Sequence, residues 1–151
     1  MAQSLTKIYV HLTFGTKLRL PLIQRYIRPR LKGYITGIMK NIGCSVLKIN
    51  CVNDHVHILF RMPKQMNIAE IVEQVKKQSS KWIKTTGAVS NIFHWQKGYC
   101  AFSVGYSQLF FVKRYIDNQD THHKDKTYQD EILELIKKNN ITDFNKEFFW
   151  D

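Results

Sequence analysis

At 151 residues the chain has the size of one ordinary domain and can bury a real core without disulfide or metal staples. Its 44% hydrophobic content argues against disorder, and the absence of any apolar run of about twenty residues argues against a membrane-spanning protein. The formal charge of +11 and pI near 9.7 call for a polyanionic partner, with nucleic acid the first expectation. Three cysteines without CxxC spacing read as reduced thiols, and Met1–Lys7 carries no apolar leader core, so a cytoplasmic protein is expected.

Residues 6–14 alternate, with Ile8, Val10, Leu12 and Phe14 on one side and Tyr9, His11 and Thr13 on the other, as in a half-buried strand. From Gln24 to Asn41 apolar residues recur at helical spacing, and Gly43 supplies the stop. Residues 44–52 and 55–62 read as two strands joined by a turn at Val52-Asn53-Asp54. Asn67 with Glu70 three residues on caps a second helix, whose stripe of Ile71, Val72, Val75, Ser79, Trp82 and Ile83 runs to Thr86-Gly87. Thr85 to Gly98 lacks periodicity and is expected as a loop able to fold over a ligand. Tyr99–Val104 is the fourth strand. Ser107 is expected to cap a third helix reaching about His122, and Thr127 with Asp130 to open a fourth that ends at Asn139-Asn140.

The order β-α-β-β-α-β predicts an α+β, ferredoxin-like (RRM-like) domain spanning residues 1–151. Two helices would cover one face of a four-stranded antiparallel sheet, and two C-terminal helices would be added. On the third strand His55 and His57 are two apart and project together, about 7 Å apart along the backbone, while Val56, Ile58 and Phe60 turn to the core. Two neutral imidazoles on one face can share a divalent ion. An HxH pair alone is more often a strand ornament; Tyr115 and Gln119, spaced i, i+4 on the third helix, add a phenol and a carboxamide on one face. A phenol titrates near pH 10 and needs nearby cations or a base to act as a nucleophile. Lys113, Arg114 or a bound metal could supply that bias.

The run Val52-Asn53-Asp54-His55-Val56-His57-Ile58-Leu59 resembles the HUH motif of the single-tyrosine transposases, insertion-sequence enzymes that process single-stranded DNA. Lys76–Ile83 is similar to that family's second-helix signature, Phe93–Val104 to its loop and fourth strand, and Tyr115-Ile116-Asp117-Asn118-Gln119 with His122-His123 to its nucleophile helix. The likeness covers about residues 5–151, including Thr16–Arg19 and Phe148-Phe149-Trp150, and is nearest to the branch associated with repeated extragenic palindromes. Cys100 departs from the pattern, where glycine is expected.

The resemblance implies that Tyr115 attacks a DNA phosphate at hairpin-associated sites, forming a 5′-phosphotyrosine and releasing a 3′-OH. His55 and His57 would hold the metal, Mg²⁺ or Mn²⁺, with Gln119 as third ligand. The spacing offers no four-ligand set for a structural zinc. The resemblance further implies a homodimer in which one subunit's tyrosine helix can complete the other's histidine site. Lys17, Arg19, Lys76, Lys77, Lys81, Lys97 and Arg114 are the expected phosphate contacts, with Trp95 or Tyr99 stacking on a base. His11 and His122 border the site, whereas His94 and His123 read as surface or loop residues. The rival readings are a non-catalytic module that binds single strands through the same sheet, and a metal-dependent nuclease that uses water.

Overall fold

The computed structural model describes residues 2–87, 92–123 and 125–150, without the side chains of His122 and Phe148. Its elements follow the predicted order: β1 Tyr9–Gly15, α1 Arg28–Asn41, β2 Ser45–Cys51, β3 His55–Arg61, α2 Ile68–Thr85, β4 Cys100–Val104, α3 Leu109–Asp117, α4 Gln119–His122, α5 Tyr128–Lys138 and α6 Lys146–Phe149. The strands form one antiparallel sheet in the order β2-β3-β1-β4, so β1 and β3 are central. No helix among the described residues is long and apolar enough to cross a membrane.

Alternation decides which face each side chain joins. Val10, Leu12 and Phe14 of β1 and Val56, Ile58 and Phe60 of β3 enter the main core with Leu31, Ile35, Ile38 and Met39 of α1 and Ile71, Val72, Val75 and Ile83 of α2. Ile8, expected on that stripe, lies before β1 and is exposed. The Asn67 side chain accepts from the Glu70 N–H at 2.8 Å, the cap its sequence promised. Gly43, at φ +95°, ends the α1 connection in a conformation that disfavours a Cβ.

Two expectations are corrected. The third helix does not run unbroken from a Ser107 cap: Tyr106–Gln108 forms a 3₁₀ turn, α3 starts at Leu109, and Asn118 leaves helical angles at ψ +17° before α4 restarts at Gln119. The segment before β4 is no flap over a ligand where it is described. Phe93 and Trp95 are buried in the main core, Trp95 Nε1 donates to Ser79 Oγ at 3.0 Å, and Gln96 Oε1 accepts from the Gly15 N–H at 2.7 Å. Residues 88–91 lie outside the described chain.

The second sheet face, bearing His11, Thr13, His55 and His57, is covered as well. α3 packs over β2 and β3, with Asn50 Nδ2 donating to the Ile116 carbonyl at 2.9 Å. α5 and the tail build a second apolar cluster of Cys100, Phe102, Tyr128, Ile132 and Ile136, flanked by Phe144, Phe149 and Trp150. The aromatic tail therefore packs on its own chain.

Candidate active site

The histidines sit at the seam between the sheet and this second layer. In the β1–β3 register Thr13 is opposite His57 and Gly15 opposite His55, so both imidazoles rise from the middle of the sheet and are fully buried. Each is held by its Nδ1. His55 Nδ1 donates to Asp54 Oδ1 at 2.6 Å, and His57 Nδ1 is 2.8 Å from His11 Nε2. The Tyr128 ring stacks on His55 at 3.9 Å and 14°, its hydroxyl paired with Thr13 Oγ1 at 2.9 Å. Orientation fixed from behind leaves both Nε2 atoms facing a common point in front.

That point is occupied by a residue the sequence reading missed. Glu131 of α5 is buried, and its Oε1 lies 2.9 Å from His57 Nε2 and 3.4 Å from His55 Nε2. One donor atom from each of His55, His57 and Glu131 falls within 4.8 Å of the others, a spacing able to hold one metal ion. The donor chemistry fits: two imidazole Nε2 atoms, which would give up any proton on binding a metal, and a carboxylate. Gln119, the expected third ligand, is adjacent. Its Nε2 donates to Glu131 Oε2 at 2.9 Å, which turns its Oε1 toward His55 Nε2 at 3.2 Å.

Tyr115 reaches the same carboxylate, its hydroxyl donating to Glu131 Oε2. Its ring centroid is 5.7 Å from that of His57 and 5.9 Å from that of His11. Nucleophile candidate, histidine pair and acid therefore meet within one chain.

The electrostatics follow from burial against this acid. Burial would raise the Glu131 carboxyl, but hydrogen bonds from His123, His55 and His57 hold it far below the usual range, so it is ionised. Burial and then the Glu131 charge push the Tyr115 phenol well above its ordinary value. His57 is lowered by burial despite Glu131, whereas for His55 the pull of burial is outweighed by Asp54 and Glu131, and it is raised. His11 drops to about 3 through burial and the neighbouring His57. The pocket carries one firm negative charge that keeps Tyr115 protonated until a cation offsets it.

His11 lies against the pair through its 2.8 Å contact with His57, and the side chain of His122 lies outside what is described. His123, read as a surface residue, is instead inside, with Nε2 3.1 Å from Glu131 Oε1. A signal existed for both missed residues. Glu131 interrupts the buried stripe of Tyr128, Ile132 and Ile136, and His123 is four residues beyond Gln119.

The basic residues divide. Arg19 lines a cavity of about 300 Å³ with Asp54, His123 and Lys126, its guanidinium 5.0 Å from the Trp150 ring, and exposed Lys17 precedes it. Arg114 is exposed on α3, one residue from Tyr115. On the opposite side Tyr115 and Glu131 open into a cavity of about 310 Å³ walled by Phe111, Val112 and Leu135. Lys77 and Lys81 are exposed on α2, in the layer across the sheet from the histidines, and Lys97 is exposed before β4. Lys76, expected on phosphate, is corrected to a structural clamp: Nζ donates to the carbonyls of Gln96, Lys97 and Gly98 at 2.6, 3.1 and 2.8 Å. Tyr99 and Trp95, expected to stack on bases, pack in or against the main core.

A ferredoxin-like sheet with a His-x-His pair on a central strand and a tyrosine helix laid over it is the arrangement of the single-tyrosine HUH transposases. The family model described as IS200-like transposase matches residues 4–119, and the chain belongs to that family. Its fold is similar to a candidate transposase from Deinococcus radiodurans R1, with a TM-score of 0.62, 22% identity, and 79% of this chain and 98% of that chain covered. It is also similar to a REP-associated tyrosine transposase bound to a REP hairpin, with a TM-score of 0.60, 14% identity, and 82% of this chain and 73% of that chain covered. No curated protein matches the chain.

Proposed function

We propose that this transposase cleaves and rejoins single-stranded DNA beside hairpins through a 5′-phosphotyrosine at Tyr115. The observation that carries the reading is the Tyr115 hydroxyl on Glu131, within the cluster that joins Glu131 to His55 and His57. Tyr115 Oη bonds to phosphorus while the bond to the 3′ oxygen breaks, and that oxygen takes a proton from solvent to leave as a 3′-OH. The phenol proton is given up to solvent; Glu131, its hydrogen-bond acceptor, orients the hydroxyl but is held too far below its usual range to keep the proton. A 3′-OH attacking the tyrosyl ester then restores Tyr115, and because the ester retains the phosphodiester energy, joining needs no ATP.

His55 and His57 would hold Mg²⁺ or Mn²⁺, with Glu131 and the Gln119 carboxamide as the nearest oxygen donors. Such an ion supplies Lewis-acid polarisation of the scissile phosphate. His11 and Asp54 keep the imidazoles turned toward it, and burial excludes competing water. Arg19, in the cavity beside His123, and exposed Lys17 and Arg114 are the cations we assign to the strand's phosphates. The neighbour solved with a REP hairpin supports DNA hairpins as the substrate class. We further read the enzyme as a homodimer, which light scattering at micromolar concentration would refute by returning a monomer.

The test incubates hairpin-bearing single-stranded DNA with protein and Mn²⁺ and resolves the products on a denaturing gel. A covalent adduct lost in Tyr115→Phe is expected. An adduct that persists in that variant removes Tyr115 from the role. Cleavage without an adduct marks a water-using nuclease, and binding without cleavage marks a non-catalytic module.

A further inference from the structure

His123 follows α4 directly, and its position is tightly determined. The ring packs against that of His55 with centroids 4.5 Å apart, and Nδ1 is 2.8 Å from the Lys126 carbonyl oxygen. A carbonyl only accepts, so Nδ1 carries a proton and Nε2 is the ring nitrogen left to face the pocket. That nitrogen faces two oxygens, Gln119 Oε1 at 3.0 Å and Glu131 Oε1 at 3.1 Å. In the metal-free chain Nε2 donates to these acceptors; with that proton displaced, the same nitrogen and both oxygens converge on one cation.

The same holds for His55, whose Nδ1 is committed to Asp54 and whose Nε2 faces the same two oxygens at 3.2 and 3.4 Å. Three Nε2 atoms, those of His55, His57 and His123, thus surround one carboxylate oxygen at 3.4, 2.9 and 3.1 Å. They come from two places in the chain, β3 and the residue after α4, and the Lys126 carbonyl of the following loop orients the third ring. The break at Asn118 gives α4 its own start, and from there Gln119 and His123, four apart, both turn to the pocket.

We propose that His123 is a direct ligand of the metal centre, completing with His55, His57 and Glu131 a set of three imidazoles and one carboxylate that favours Mn²⁺, Co²⁺ or Zn²⁺ over Mg²⁺. Imidazole is a borderline ligand that these ions accept more readily than Mg²⁺, which prefers oxygen and keeps its water. The proposal rests on reading His55 and His57 as the metal pair, and it adds a ligand and a selectivity to that reading.

The experiment records long-range ¹H–¹⁵N correlations of histidine-labelled protein during titration with Zn²⁺, a diamagnetic probe of the site. Nε2 of His123 is expected to shift together with those of His55 and His57 at one equivalent. Shifts at His55 and His57 with His123 unmoved overturn the proposal and leave the metal pair standing; no shift at any of the three overturns both. Calorimetry on His123→Ala and His123→Asn, each checked for native circular dichroism, provides the second measurement. A ligand's removal should weaken Zn²⁺ binding by more than the roughly 10–100-fold typical of losing an outer-shell partner, and Mg²⁺ binding by far less. Zn²⁺ affinity unchanged in both variants overturns the assignment.

Discussion

Glu131 shows how differently side chains of one type can act. On α5 it is one of three acidic residues in five positions, yet Asp130 and Glu134 are solvated while Glu131 is buried and accepts from histidines and a phenol. His55, His57, Gln119 and Tyr115 were legible because motif spacing advertises them. Glu131 and His123 leave weaker traces, an acid inside an apolar stripe and a histidine four residues past Gln119, and both look ordinary until packing turns them inward. His11 gives a test in metal-free protein. Its folded value of about 3 lies below the ordinary 6.5, so the unfolded chain binds more protons between those limits. Its contribution is complete above about pH 6.5 and is lost on acidification, at about 1.4 kcal/mol per pH unit for this one group. Urea unfolding from pH 7 to 4 should show a shallower acid loss in His11→Gln; an identical slope would mean that His11 does not titrate there.

At the scale of elements, pairing and periodicity made the four strands, α1, α2 and α5 readable within a few residues. The third helix was misread because the polar run from Asp117 to His123 holds no glycine or proline to mark a break, whereas the restart at Gln119 goes with its contact to Glu131 of α5. The segment before β4 was misread because its apolar residues, Phe93 and Trp95, lack the period of any element yet are buried. Lys76 secures that segment. Lys76→Met should leave three carbonyls without their donor and cost about 1–3 kcal/mol in denaturant unfolding. It should not change the salt dependence of DNA binding, and a lower salt slope in this variant would return Lys76 to the phosphate contacts.

For the whole molecule, the two layers divide the work. α1 and α2 bury the apolar sheet face, while α3, α5 and the tail convert the polar face into an enclosed pocket opening on either side. A chain of charge +11 should bind single-stranded DNA with an affinity that falls steeply with salt, by a slope of about −0.7 per neutralised phosphate. Arg19→Ala and Arg114→Ala should each reduce that slope, and an affinity almost unchanged between low and moderate salt would refute the electrostatic reading. The central claim is the covalent link at Tyr115, and mass spectrometry of the trypsin-digested DNA–protein adduct tests it most directly. The predicted result is the peptide running from Tyr115 to Lys124 carrying a nucleotide through a 5′ phosphate on the tyrosine; that peptide recovered unmodified, with the nucleotide on another residue or on none, would contradict the account.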